Sequence, residues 1–321
     1  MASTPTICMI GSNSLLQKCL KAALGTPDAR LAFVLHKVQK DGRHKYLQSY
    51  CERHSLRFIP FETLDDPDVR SAFAKCRPDI IVSVCNPSIM SEEILRSVDL
   101  TINFHDAPLP RYAGRNSLNW ALLNGETDFG VTWHSVVPEI DAGDIIAQRH
   151  FPIRNSWSIL DLLAKCIETG EELFSEILPR ILAGDRNFKP QDLADRTYFY
   201  KNMKPFDGSF PFRASAEVLR RLQRATAYYP GPNPFFVPKV SVRGISLELV
   251  HFDILPESGR AAAPGSIVSI GETGIGFATA DATVMADVVR SSDGVEWDAA
   301  EFARFIGIRV GDVAEQGEML A

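Results

Sequence analysis

With 321 residues, 45% hydrophobic and 23% charged, the chain can bury a large core and divide into two domains. A formal net charge of -6 argues against affinity won by coating a nucleic-acid backbone, so nucleic acid is not an expected partner. The six cysteines (Cys8, Cys19, Cys51, Cys76, Cys85 and Cys166) lack C-x-x-C and zinc spacing, so no metal is expected; with no signal-peptide core and no run of ~18 apolar residues, neither a membrane nor an exported location is expected, and a cytoplasmic one is.

Pro5 to Ile10 reads as a first strand, followed by a Gly11-Ser12-Asn13-Ser14 turn and a helix from Leu15 to Leu24. That turn is not G-x-G-x-x-G, so a dinucleotide fingerprint is missing. Strands are expected at Ala32 to His36, Leu56 to Pro60 and Pro78 to Val84, with a helix around Tyr46 to His54. The last of these strands is a continuous apolar run, suited to a strand covered on both faces. Alternating strands and helices predict a doubly wound, mostly parallel α/β sheet. Lys37, Lys40, Arg43, His44 and Lys45 form a basic run, read as a solvated loop with a phosphate-bearing acceptor as the rival reading.

The most informative stretch is Asp99 to Ile145. Leu100, Ile102 and Phe104 alternate with Thr101, Asn103 and His105, the period of a strand with two unlike faces, so Asn103 and His105 point the same way. The prolines of Asp106-Ala107-Pro108-Leu109-Pro110 end the strand and leave His105 at its carboxyl end, where open α/β sheets bind ligands. A helix is expected around Leu118 to Leu123 and a strand from Phe129 to Val137, carrying His134 as a structural histidine. The loop Glu139-Ile140-Asp141-Ala142-Gly143-Asp144 follows, and Gly143 is expected to let it bend and return Asp141 toward the histidine.

A strand is expected at Phe151 to Ile153, then a capped amphipathic helix from Ser158 through Leu178, buried through Leu162, Cys166, Leu173 and Ile177 and kinked or ended by Pro179. Gly184 to Pro205 reads as a linker packed by Tyr198-Phe199-Tyr200. A helix from Ser215 to Ala227 precedes the proline-rich Tyr228 to Phe236 and strands at Lys239 to Val242, Ile245 to Phe252, Gly265 to Ile270 and Gly274 to Thr279. The domains expected are 1–188, a linker at 189–205, and 206–321 as a small open β-barrel-like domain with one helix.

An amide, an imidazole and a carboxylate are the parts needed to move an acyl group between nitrogens. Asn103 and a His105 N–H can stabilise negative charge on a formyl oxygen, while Asp141 can orient the imidazole and help take the proton from an attacking amine. Asn103-Phe104-His105, the Leu109 to Gly114 run, Trp120, Asn124-Gly125-Glu126, Gly130-Val131-Thr132 and Asp141-Ala142-Gly143-Asp144-Ile145 resemble the core of the 10-formyltetrahydrofolate-dependent formyltransferases. Ala107 stands where that family carries serine and Ala113 where it carries arginine.

The resemblance implies a Rossmann-like catalytic domain followed by the family's β-rich carboxyl-terminal domain. It implies 10-formyltetrahydrofolate as co-substrate, Asn103, His105 and Asp141 as the catalytic triad, and no metal. By the same resemblance Ser88, Ile89 and Met90, with Val137, Pro138, Glu139 and Ile140, bind the folate, although Ile89 and Met90 also read as core residues. The Tyr-Pro-Gly-Pro-Asn-Pro-Phe segment and Phe302 to Asp312 are closest in style to formyltransferases of peptide-synthetase and siderophore pathways. The expected acceptor is a small-molecule or carrier-bound amine of secondary metabolism, with an amino-sugar nucleotide and methionyl-tRNA as alternatives. Hydrolysis of the formyl-folate, with water as acceptor, and a binding protein with a decayed site are the rival classes.

Overall fold

The computed structural model describes residues 4–38, 42, 44–256 and 262–316, so Lys40 and Arg43 of the basic run lie outside the described residues. The chain begins with β1 (Thr6–Gly11), α1 (Asn13–Leu24), β2 (Arg30–Lys37), α2 (His44–Arg53), β3 (Phe58–Phe61), α3 (Pro67–Cys76) and β4 (Ile80–Val84). It continues through α4 (Glu92–Arg96), β5 (Leu100–His105), β6 (Ala113–Gly114), α5 (Ser117–Asn124), β7 (Asp128–Ser135), β8 (Ile145–Pro152), α6 (Ile159–Leu182) and β9 (Tyr198–Phe199).

Two compact units emerge. The first comprises 1–117, 128–153 and 163–199; the second comprises 118–127, 154–162 and 200–321. The first is built on a seven-stranded sheet of order β3-β2-β1-β4-β5-β7-β8. β3 to β5 pair in parallel, whereas β5 with β7 and β7 with β8 are antiparallel. Both faces of the parallel part are covered, and every residue of Ile80-Ile81-Val82-Ser83-Val84 is buried, as the apolar run predicts.

The antiparallel edge packs on α6, whose Gly170 carbonyl accepts a hydrogen bond from Trp133 Nε1 at 3.0 Å. α6 does not end at Pro179 but runs through it to Leu182. Burial of Ile177, Leu178 and Ile181 on its core face offsets the lost donor. The last sheet strand is Ile145–Pro152, longer than Phe151 to Ile153, because most of it is only half-buried and shows little apolar pattern. α3 was not anticipated; it starts with Pro67 at its first turn after Asp66.

The second unit contains α7 (Ala216–Thr226), β10 (Lys239–Val242), β11 (Ile245–Pro256), β12 (Ile267–Gly271), β13 (Gly274–Ala278), β14 (Ala282–Ser291), β15 (Glu296–Asp298), α8 (Ala299–Ile306) and β16 (Ala314–Gln316). Its sheet runs β12-β13-β14-β11-β10-β16, with β15 paired to β14, and every pairing is antiparallel. Register shifts on either side of His251 bend the long β11–β14 ladder. Leu219, Leu222 and Ala225 bury one face of α7, and Phe210, Phe212, Phe252 and Phe277 form an aromatic core. After Tyr200 the described residues form two α-helices, α7 and α8, where one was expected. Ser215 and Asp298 cap them by accepting from the Val218 and Glu301 N–H groups. Among the described residues no helix is long and apolar enough to cross a membrane.

A Cβ on Gly170 would lie 2.5 Å from Phe104 Cε2, so nothing larger than hydrogen fits where α6 crosses β5. Gly170→Val should cost about 2 kcal/mol or more of stability in urea unfolding; an unchanged midpoint would contradict this packing.

Candidate functional site

Because β5 alternates, Asn103 and His105 share a face of the sheet, and the antiparallel register sets Asn103 opposite His134 and His105 opposite Thr132. The Asn103 amide is fixed on both sides. Its Oδ1 accepts from Ser83 Oγ at 2.7 Å, and its Nδ2 donates to His134 Nε2 at 3.1 Å. His134 Nδ1 donates to the Ser135 carbonyl at 2.8 Å, so His134 is neutral and its Nε2 is an acceptor. The second N–H of Asn103 remains for an incoming oxygen.

His105 Nε2 lies 2.9 Å from the Tyr112 carbonyl, which can only accept, so this nitrogen carries the proton. In the neutral ring the lone pair is then on Nδ1, which lies 3.6 Å from Asp141 Oδ2. The expected division of labour changes accordingly. The Tyr112 carbonyl, rather than Asp141, fixes the tautomer, and the Nε2–H is spent on it. Nδ1 is left as a proton acceptor with a carboxylate behind it.

Asp141 reaches this position through a folded loop. After β7 the Val136 N–H donates to the Thr101 carbonyl at 2.8 Å, and the chain then doubles back so that the Ser135 N–H donates to the Asp144 carbonyl at 2.9 Å. Gly143 serves close approach: a Cβ there would lie 1.8 Å from the Ser135 carbonyl oxygen. The left-handed turn is made by Asp141 itself, at φ 53°. Its Oδ2 accepts from the Gly114 N–H at 2.9 Å, and its Oδ1 lies 3.7 Å from His134 Nε2.

The electrostatics follow from burial. Burial pushes the Asp141 carboxyl up, but His105, the Gly114 N–H, His134 and Arg196 together hold it below the usual carboxylate range. His134 is pushed down to about 4, chiefly by burial and against the pull of Asp141. The cluster at neutral pH is thus an ionised carboxylate between two imidazoles, one of them locked neutral.

Ser88, Ile89 and Met90 follow the carboxyl end of β4, where Asn86 closes a turn with the Ser88 backbone. Ile89 is 80% exposed, whereas Met90 packs against the Cys8, Ile10 and Phe33 core. The buried Ser88 hydroxyl has no partner among the described residues. Val137, Pro138, Glu139 and Ile140 lie in the loop leading to Asp141, with Val137 and Ile140 exposed and Glu139 paired with Arg196. Ala107 and Ala113 are fully buried, and both use their backbone: the Ala107 carbonyl accepts from Thr132 Oγ1 and the Ala113 N–H donates to the Thr197 carbonyl. Among the described residues no group of three or more His, Cys, Asp or Glu could hold a metal.

Ser83, Gln191, Arg196 and Thr197 lie beside these groups and were not singled out by sequence, whereas Tyr112 and Gly114 lie in the Leu109 to Gly114 run but were given no role. Tyr112 and Gly114 act through backbone atoms, which leave no side-chain signal. Gln191 and Arg196 sit in a polar stretch that resembles any linker.

A doubly wound sheet thus holds an amide, two imidazoles and an ionised carboxylate together beside β5. A model described as formyl transferase matches residues 7–178, more than half of the chain, and one described as formyl transferase, C-terminal domain, matches 202–306. The chain belongs to the formyl transferase family.

Among solved structures, HypX from Aquifex aeolicus in complex with tetrahydrofolic acid is similar at TM-score 0.64 and 20% identity over 96% of this chain. This chain spans only 48% of that protein. The N-formyltransferase from Helicobacter canadensis, in complex with folinic acid and dTDP-3-aminofucose, is similar at TM-score 0.63 and 20% identity, over 89% of this chain and 99% of that one. The sugar 3N-formyltransferase WlaRD, in the presence of dTDP and 5-N-formyl-THF, gives 0.64 and 18%, over 89% and 98%. At these identities the likeness is one of fold.

Two outcomes test the geometry. Gly143→Ala should displace the Asp141 loop, lowering the melting temperature and disturbing the backbone amide signals of Gly114 and Asp141; an unaltered spectrum would contradict the close approach to Ser135. An unfolded histidine binds a proton below about 6.5, but His134 in the folded protein does so only below about 4. The unfolded state therefore holds more protons in that window, and stability falls as pH drops from 6.5 toward 4, by up to about 3 kcal/mol from this residue. His134→Gln should remove that part of the acid loss in chemical denaturation measured across the window; equal slopes in both proteins would contradict it.

Proposed function

We propose that this protein transfers the formyl group of 10-formyltetrahydrofolate to a primary amine or hydroxylamine on a small or carrier-borne acceptor. The observation that carries this reading is His105 Nδ1 set 3.6 Å from an Asp141 carboxylate with 11% of its side chain exposed, beside an Asn103 amide with an N–H to spare. The segments expected to hold the folate suit a flat pterin: Ile89, Val137 and Ile140 offer exposed apolar surface, and the Ser88 hydroxyl is buried with its bonding capacity unspent.

When bound, the folate supplies the formyl carbon, whose bond to the folate nitrogen breaks as the bond to the acceptor nitrogen forms, giving R–NH–CHO and a folate N–H. Asn103 Nδ2–H donates to the formyl oxygen as negative charge develops on it. His105 Nδ1 takes the proton that the acceptor nitrogen must lose, and Asp141 stabilises the resulting imidazolium. The same Nδ1–H then returns the proton to the departing nitrogen. The Tyr112 carbonyl keeps the ring from turning while this happens. An alkylamine is mostly ammonium at pH 7, so the Asp141 carboxylate also favours approach of a cationic acceptor, which releases its first proton to solvent before it attacks.

A second reading, an amino-sugar nucleotide as acceptor, is favoured by the near full-length fold match to two sugar N-formyltransferases. Incubation with 10-formyltetrahydrofolate and a panel of hydroxylated diamines, amino-sugar nucleotides and carrier-bound aminoacyl groups, read by mass spectrometry, tests both. A formylated amine is expected, with turnover reduced about 100-fold or more in Asn103→Ala and His105→Ala. Transfer undiminished in both variants, or formate release with no formylated amine, would overturn the reading.

A further inference from the structure

The residues that fix His105 and Asp141 are themselves fixed by one short segment that follows α6. Gln191 Nε2 donates to the carbonyls of Asp141 and Gly143, at 2.9 and 2.6 Å. Arg196, with 15% of its side chain exposed, pairs with Glu139 and donates to the Ile140 carbonyl, while stacking over the Tyr198 ring at 5.2 Å. Thr197 Oγ1 accepts from the Tyr112 N–H at 2.7 Å, and its carbonyl accepts from the Ala113 N–H at 2.9 Å. β9 then pairs with β6, and the Phe199 ring lies stacked on Tyr112 at 5.5 Å. A Cβ on Gly114 would lie 2.3 Å from the Phe199 carbonyl oxygen, so the contact tolerates no bulk.

These contacts converge on two side chains, His105 and Asp141. The turn at Tyr112–Gly114 supplies the carbonyl that sets the His105 tautomer and the N–H that holds Asp141 Oδ2. The loop at Glu139–Gly143 carries Asp141 in a left-handed conformation costly for a residue with a side chain. Without external bonds that loop would relax. We propose that the segment from Gln191 to Thr197 is a strap that holds Asp141 in register with His105, and that Gln191 and Arg196 are positioning residues of the reaction although neither touches the reacting atoms. This rests on the functional reading above for its kinetic consequence, not for its structural one.

The titratable and charged groups facing Asp141 are His105 from β5, His134 from β7 and Arg196 from the strap. Arg196 alone among them carries a fixed charge at every working pH. Its removal withdraws a cation that favours the ionised carboxylate, whereas Arg196→Lys keeps the charge and loses the fork that binds Glu139 and Ile140 together.

The test uses the full chain with Gln191→Ala, Arg196→Ala and Arg196→Lys, each checked for folding by thermal melting. Two readouts are taken: the carboxyl carbon-13 titration of Asp141, and the pH dependence of kcat and KM for formyl transfer. In Arg196→Ala the Asp141 midpoint and the acid limb of kcat should both move upward, by roughly half a unit or more, and Arg196→Lys should restore both. In Gln191→Ala kcat should fall about 10-fold with KM for the formyl donor little changed, the mark of a displaced group rather than a lost binding contact. A folded Arg196→Ala variant with the parental Asp141 titration, or a folded Gln191→Ala variant with parental kcat, would overturn the proposal. Should no amine be formylated by the parent chain, the functional reading fails while the Asp141 titration still decides the strap.

Discussion

The carboxyl edge of this sheet depends on keeping one carboxylate ionised with only 11% of its side chain exposed. Burial of a charge is costly unless hydrogen bonds and opposite charge replace the lost water. For Asp141 the replacement comes from the Gly114 N–H and the nearby Arg196 guanidinium, each from a different stretch of chain. The absence of bulk at Gly143 makes the arrangement possible, because the loop must press against the Ser135 carbonyl to bring the carboxylate inward.

The sheet topology explains why these pieces meet at β5. This strand is the boundary between the parallel part, paired to β4, and the antiparallel edge, paired to β7. It therefore has Ser83 beside Asn103 on one flank and His134 beside it on the other. A hydroxyl donor and an imidazole acceptor thus hold the amide in one orientation, with its remaining donor unspent. Burial that keeps His134 neutral is part of the same arrangement, since a protonated Nε2 would repel the Asn103 donor.

Much of the catalytic unit was legible in the sequence because its signals are local. The period of β5, the unbroken apolar run of β4 and the prolines after His105 each follow from side-chain alternation or backbone chemistry over a few residues. The Asn103–His105–Asp141 grouping was legible through motif spacing, and the structure brings those three together with His134. The rest depends on long-range contacts. Nothing local tells that Gln191 reaches back 50 residues to Asp141, or that Tyr112 contributes a carbonyl rather than its ring. The role of Gly143 was read as a bend, whereas the positive φ belongs to Asp141 and the glycine is needed for space. In the second unit, β14 to β16 and α8 went unread: Ala282–Ser291 pairs with β11 across a bulged ladder whose register only the fold supplies.

The central claim is that His105 Nδ1, poised by the Tyr112 carbonyl and backed by Asp141, carries the proton between acceptor and folate nitrogen. A crystal structure of the protein with a non-hydrolysable formyl-folate analogue tests it most directly. The account predicts the formyl carbon beside His105 Nδ1, the formyl oxygen within hydrogen-bond reach of Asn103 Nδ2, and the pterin against the Ser88 and Val137–Ile140 segments. A folate bound with its one-carbon group away from His105, or a His105 ring turned so that Nδ1 no longer faces Asp141, would contradict it.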